Sequence, residues 1–142
     1  MREILSGTVG TLAFSVLMQV PNRLLFFTTF GGLLSGTVFW FAEHNGIGPF
    51  GATLWAMLTI ALYAELLAKP LKTPSTVLLY PSTVPLLPGS TIYYAMECLL
   101  FGQSAQAAAY AAKTLQIATG MGLGAVWIAV AVRLLRARKT KQ

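Results

Sequence analysis

Apolar residues run through this chain in five stretches, parted by short clusters rich in Pro, Gly, amide and charged residues. The first, Ile4 to Val20, is ended by Pro21, Asn22 and Arg23. The second, Leu24 to Phe41, is closed by EHNGIGP (Glu43 to Pro49), and the third, Phe50 to Leu67, by AKPLKTP (Ala68 to Pro74). The fourth runs from Ser75 to Phe101, and the fifth from Ala107 to Leu135 after GQSAQ. About 20 apolar residues cross a bilayer as helix. Lipid offers backbone groups no partner, so each span must bond to itself. The alternation of a membrane barrel is missing, as is any internal repeat. The pattern predicts an all-α membrane protein, one transmembrane domain over residues 1–142. It has about five transmembrane helices (4–20, 24–41, 50–67, 75–101 and 107–135) and a basic cytoplasmic tail, 136–142.

The fourth stretch breaks its own pattern. PSTVPLLPGSTIYY, Pro81 to Tyr94, holds three prolines and a glycine among apolar residues and carries no charge. Each proline removes a helix donor and crowds the preceding turn, so three so close together predict unwinding rather than a kink. With Lys72 near one surface and Gly102 near the other, Gly89 falls near mid-membrane. Unwound backbone at that depth is tolerated where it is buried in protein or lines a wet cavity. After the break, Ser90 or Thr91 is a good N-cap for the half-helix that follows. Its N-terminal end carries about half a positive charge and suits a carboxylate. Pro85, Pro88, Gly89, Ser90, Thr91 and Tyr93 are therefore the expected substrate-binding residues. The hydroxyls of Tyr80 and Tyr94 are expected nearby.

Composition agrees with a lipid-embedded chain. Of 142 residues 56% are hydrophobic and 10% charged, against roughly a quarter charged in soluble domains. The net charge of +6 is concentrated at one end, in Arg133, Arg136, Arg138, Lys139 and Lys141. That reads as a cytoplasmic stop rather than a nucleic-acid face. If residues 75–101 cross fully, Arg23, Lys69, Lys72 and the tail share one side; if they dip in and return, Arg23, Lys69 and Lys72 move outside. The charge distribution favours five spans, with the N-terminus out and the C-terminus in. The N-terminal stretch lacks a convincing cleavage pattern and reads as an uncleaved first span. Phe39, Trp40, Phe41, Phe50 and Trp55 mark the outer boundary.

VPLLPGSTIYYAM, Val84 to Met96, resembles the signature of the small subunit of the threonine/serine exporter family: an apolar residue, Pro85, two apolar residues, Pro88-Gly89, then Tyr93 and the Ala95-Met96 pair. Val20-Pro21 with Arg23 behind it resembles that family too, as does the order of apolar segments. The resemblance implies a prokaryotic inner-membrane exporter of threonine, serine or related small carboxylate-bearing metabolites, dicarboxylates included. Members are one chain of about ten spans or two proteins, on the general logic of paired bundles. It therefore implies a larger partner subunit, further copies of this chain, or both.

Few ionisable residues remain. Glu97 on the half-helix and Lys113 on the last span lie either side of the outer loop. As a pair they read as a gate or coupling element, or as a structural bridge; Lys113 alone also suits snorkelling. Glu65 and Lys69 are spaced for helix pairing. Glu43 and His44 read as solvated loop residues. Cys98 reads as a small buried hydrophobe. There is no Asp and one His, so a metal site, a cofactor cage or a catalytic triad has no parts. An intramembrane enzyme is excluded on that inventory. An accessory scaffold without its own substrate site stays open beside the exporter subunit. Gly32/Gly36 and Gly120/Gly124 are predicted close-packing faces.

Overall fold

The computed structural model describes residues 2–139, with side chains described for residues 6–131. The basic tail's side chains, and the orientation drawn from them, lie outside the described residues. Six helices follow in order: α1 (Arg2–Leu17), α2 (Asn22–His44), α3 (Pro49–Leu71), α4 (Ser75–Ser82), α5 (Gly89–Leu100) and α6 (Ser104–Lys139). A 3₁₀ turn, Val84–Leu86, stands between α4 and α5. No strand occurs among the described residues. Among the described residues, three helices are long and apolar enough to cross a membrane: Asn22–His44, Pro49–Leu71 and Ser104–Ala131.

Helix ends fall where the sequence supplies breakers. Pro49 opens α3, where its missing N–H costs nothing. The α2–α3 and α5–α6 turns pass through Gly46 and Gly102 at φ +78° and +72°, a conformation glycine adopts without strain. The α2 helix runs on to His44, which carries Glu43 out of the predicted loop and into the last helical turn.

The core is built from close contact between small residues rather than from bulky apolar ones. α1 runs antiparallel to α2, with Thr11 against Gly32 and the Ser15 hydroxyl donating to Thr28 Oγ1 at 3.0 Å. At the end of α4, Ser82 Oγ sits where a Gly31 side chain would be. It donates to the Thr28 carbonyl at 3.0 Å, while Ser35 Oγ donates to the Ser82 carbonyl at 2.9 Å. Thr11, Ser15, Thr28, Ser35 and Ser82 are fully buried. On the other side, α6 lies along α3, where Gly120 meets the Phe50 carbonyl and Gly124 meets Met57. Small residues let backbones approach, and hydroxyls then bond across the seam. Outward faces are greasy instead: Phe26 is 74% exposed and Trp127 70%. That is the surface a bilayer covers.

The segment between residues 75 and 100 is interrupted, though less widely than the three prolines suggest. Pro81 stays helical, one residue before α4 ends, at the cost of its own N–H bond to the Val77 carbonyl and crowding against that turn. The non-α stretch is Thr83 to Pro88, with Leu87 extended at φ −63°, ψ 130°. It starts beside Gly31 and Ser35, halfway along α2. Leu86 then joins the buried cluster of Ala56, Met57 and Ile60, against which Phe39 packs. From there α5 leans on α6 and makes no extensive contact with another helix. The register is given by Thr91–Thr114 and Tyr94–Tyr110. Because Gly120 is already level with the first turn of α3, residues 104–119 and α5 together form an arm reaching about 20 Å beyond α3, at 1.5 Å per residue.

Three stability outcomes follow from this packing. Gly120→Ala drives a Cβ into backbone and should lower the detergent melting temperature. Gly122→Ala, with nothing within 4 Å, should leave it unchanged. Ser35→Ala strands the Ser82 carbonyl and should cost about 1–3 kcal/mol, read by thermal unfolding in detergent.

Candidate functional site

The interruption forms one wall of a cavity of about 480 Å³. Ser6, Gly7 and Gly10 of α1 face it. Gly36, Phe39, Trp40 and Glu43 come from α2, and Lys113 and Ile117 from α6. Val84 to Pro88, with Ser90 and Thr91, complete the lining. The glycines of α1 are what let the turn approach: a Cβ on Gly7 would lie 3.1 Å from Pro85 Cβ. The volume lies within the range of small-molecule pockets, about 300–1,000 Å³.

Of the six residues expected to bind substrate, four line this cavity: Pro85, Pro88, Ser90 and Thr91. Gly89 does not, and open space surrounds the Cβ it lacks. Tyr93 is 63% exposed on the arm, edge-on to Tyr94 at 5.6 Å. Tyr80 and Tyr94 are outside the lining as well. Side chains on a helix point round its axis, and only the face carrying Ser90 and Thr91 turns inward.

The expected cap is also replaced. α5 begins at Gly89 behind Pro88, with no side-chain cap. Thr91 instead donates back to the Pro88 carbonyl at 3.0 Å and accepts from Thr114 at 2.8 Å. The Ser90 and Thr91 N–H groups find no acceptor among the described residues.

Lys113 does not meet Glu97. Its Nζ lies 3.1 Å from Glu43 Oε1, across 70 residues of sequence. The hairpin register explains the change. Cys98 is level with Gln106, so Glu97 sits opposite a position about six residues short of Lys113. Glu97 is half-buried with no hydrogen bond or ion pair among the described residues. Glu43 was missed because it was read as loop. One signal was present: it lies one turn beyond Phe39 and Trp40, which the helix must also carry. His44 stacks on Trp40, 4.3 Å between ring centroids. At the opposite end of the bundle, Glu65 accepts from the Ser75 hydroxyl at 2.7 Å and ties α3 to the foot of α4.

An apolar bundle with an interrupted helix beside a cavity of mixed polar and apolar lining resembles the arrangement of secondary transporters. A family profile described as threonine/serine exporter, ThrE, matches residues 3–131. The chain belongs to the threonine/serine exporter family. No curated protein and no solved structure matches it. Membership gives this exporter-family chain a membrane-transport role of the threonine/serine exporter type and sets it among transporters rather than enzymes. The proline-glycine element lies within the matched stretch.

Ser90 supplies the direct check on the cavity. In a Cys98→Ala background, Ser90→Cys should react with a small water-soluble maleimide, and serine or threonine should slow that reaction. A Tyr93→Cys control on the outer face of the arm should label without protection by either amino acid.

Proposed function

We propose that this chain is a subunit of a secondary exporter for small carboxylate-bearing metabolites, and that the cavity beside Thr83–Pro88 is its substrate site. The cavity is the observation that carries the reading. A dry, packed surround would have suited a scaffold instead. The N-terminal end of α5 meets the cavity with two unaccepted N–H groups and a partial positive charge, and Lys113 adds a full one. Both favour a carboxylate.

The proposed topology has five crossings. α1 enters from outside, α2 returns, α3 enters, α4 with the interruption returns, and α6 enters to the cytoplasm. Arg23 to Glu43 along α2 is about 30 Å at 1.5 Å per residue, the thickness of a hydrocarbon core. Placed on that slab, the interruption occupies the outer half of the membrane, and the cavity lies nearer the outer surface than the centre. The N-terminus is then outside and the C-terminus inside, in the inner membrane of a prokaryote. The arm rises at or above the outer surface with its apolar face uncovered; Leu100 is 87% exposed. A chain of this size needs a larger partner subunit of the same family, further copies of itself, or both, to enclose a pathway.

Efflux tests the proposal. Cells expressing the chain with a candidate larger partner, loaded with labelled serine, threonine or succinate, should lose label faster than cells with the partner alone. A Pro85→Ala/Pro88→Leu/Gly89→Ala variant, which permits a continuous helix, should insert normally and export at background rate. Wild-type efflux from that variant would overturn the assignment.

A further inference from the structure

Glu43 and Lys113 are the only ionised side chains among the residues lining the cavity. They are joined to each other at 3.1 Å, and each is only partly covered, with 42% and 39% of the side chain exposed. An ion pair this accessible contributes little to stability. Parting it therefore costs little, and the long Lys113 stem can swing while its ammonium stays in the cavity. Two helix ends reinforce the same polarity. Glu43 stands in the last turn of α2, whose terminal carbonyls carry partial negative charge. Ser90 and Thr91 open α5, whose first N–H groups carry partial positive charge. Lys113 lies on the α5 side of the cavity, one residue before Thr114, which bonds Thr91. The cavity thus has a negative end built from α2 and a positive end built from α5 and α6.

Resting on the exporter reading of this cavity, we propose that Glu43 is a specificity-determining residue and that the Glu43–Lys113 pair opens to admit a zwitterion. The substrate carboxylate takes Lys113 and the Ser90–Thr91 amides; the substrate ammonium takes Glu43 and the end of α2. Each charge released from the pair is met by one on the guest, so neither is left without a partner. A dicarboxylate meets Lys113 with one end and is repelled by Glu43 with the other. Discrimination comes from that repulsion as much as from attraction. Lys113 alone would serve either class of anion; Glu43 chooses between them.

The test is binding to the purified full chain in nanodiscs, with labelled serine and labelled succinate as probes. Wild type should bind serine more tightly than succinate. Glu43→Gln should weaken serine about tenfold, the scale of one lost charge-assisted hydrogen bond, and strengthen succinate. Lys113→Gln should weaken both. Glu43→Asp should restore the preference for serine. A pair with a merely structural role would make the two neutral variants behave alike toward both probes, and that result overturns the inference while the cavity assignment stands. Equal affinity of wild type for serine and succinate overturns it too. Wild type that binds neither probe removes the cavity assignment, and this inference with it. A measurement on unaltered protein guards against variants that fail to fold. N-acetylserine lacks the ammonium, and serine methyl ester lacks the carboxylate. Both should compete with serine at least about tenfold more weakly than unlabelled serine; an N-acetylserine that competes as well as serine leaves Glu43 with no role.

Discussion

The Ser82 carbonyl is the constraint from which the architecture follows. In a continuing helix it would accept from Leu86, but the Leu86 N–H turns to Thr83 instead, at 2.9 Å. A carbonyl left open inside an apolar bundle costs the desolvation of a strong acceptor. Ser35 of α2 supplies the donor, and Ser82 repays the contact through its own hydroxyl to the Thr28 carbonyl. For these bonds to form, α4 must lie almost on the backbone of α2, which Gly31 permits. The helix can stop because its last turn is tied to a neighbour. Once it stops there, Pro85 falls against Gly7 and Leu86 against Ile60. The remaining backbone is pushed out to form a cavity wall.

Charge is arranged with the same economy. An apolar protein of this kind holds few ionised groups, and those it keeps near the membrane sit where they meet an opposite charge or water. Two of them occupy one cavity on two helices that diverge in sequence and meet in space. Their pairing is also the main polar link between the α2 end and the arm, so the chemistry of the site and the seating of the arm are not independent. A ligand that parted Glu43 from Lys113 would also loosen the contact between α6 and α2 at that height.

Much of the fold was legible because lipid leaves few choices. Long apolar stretches must be helices, and Pro21, Gly46–Pro49, Lys72–Pro74 and Gly102 end them close to where they read. The interruption was legible from proline chemistry alone. Its extent was not, since whether Pro81 breaks a helix depends on how close that helix is to its end, and Ser35 and Thr28 decide the end. The cap failed for a related reason. With Pro88 at the N-cap position, α5 starts two or three residues earlier than a Ser90 or Thr91 cap requires, and the Thr91 hydroxyl is left to bond Pro88 and Thr114. Lys113 was paired with the wrong carboxylate because its partner is set by the register of two helices distant in sequence. Serines and threonines at 11, 15, 28, 35 and 82 look unremarkable along the chain. Only when stacked do they become the seam of the bundle.

The long sixth helix joins two regions of unequal tenure. Below Gly120 it is clasped by α3. Above it, the helix has α5 for company, and α5 is tethered to the bundle through the extended Leu87 and Pro88. Few contacts have to be given up for that upper hairpin to lift away, whereas the lower half cannot part without opening the core. In hydrogen–deuterium exchange the amides of residues 90–112 would lose their protection as one cooperative unit, well ahead of α2 and α3, and the mouth of the cavity would widen each time they did.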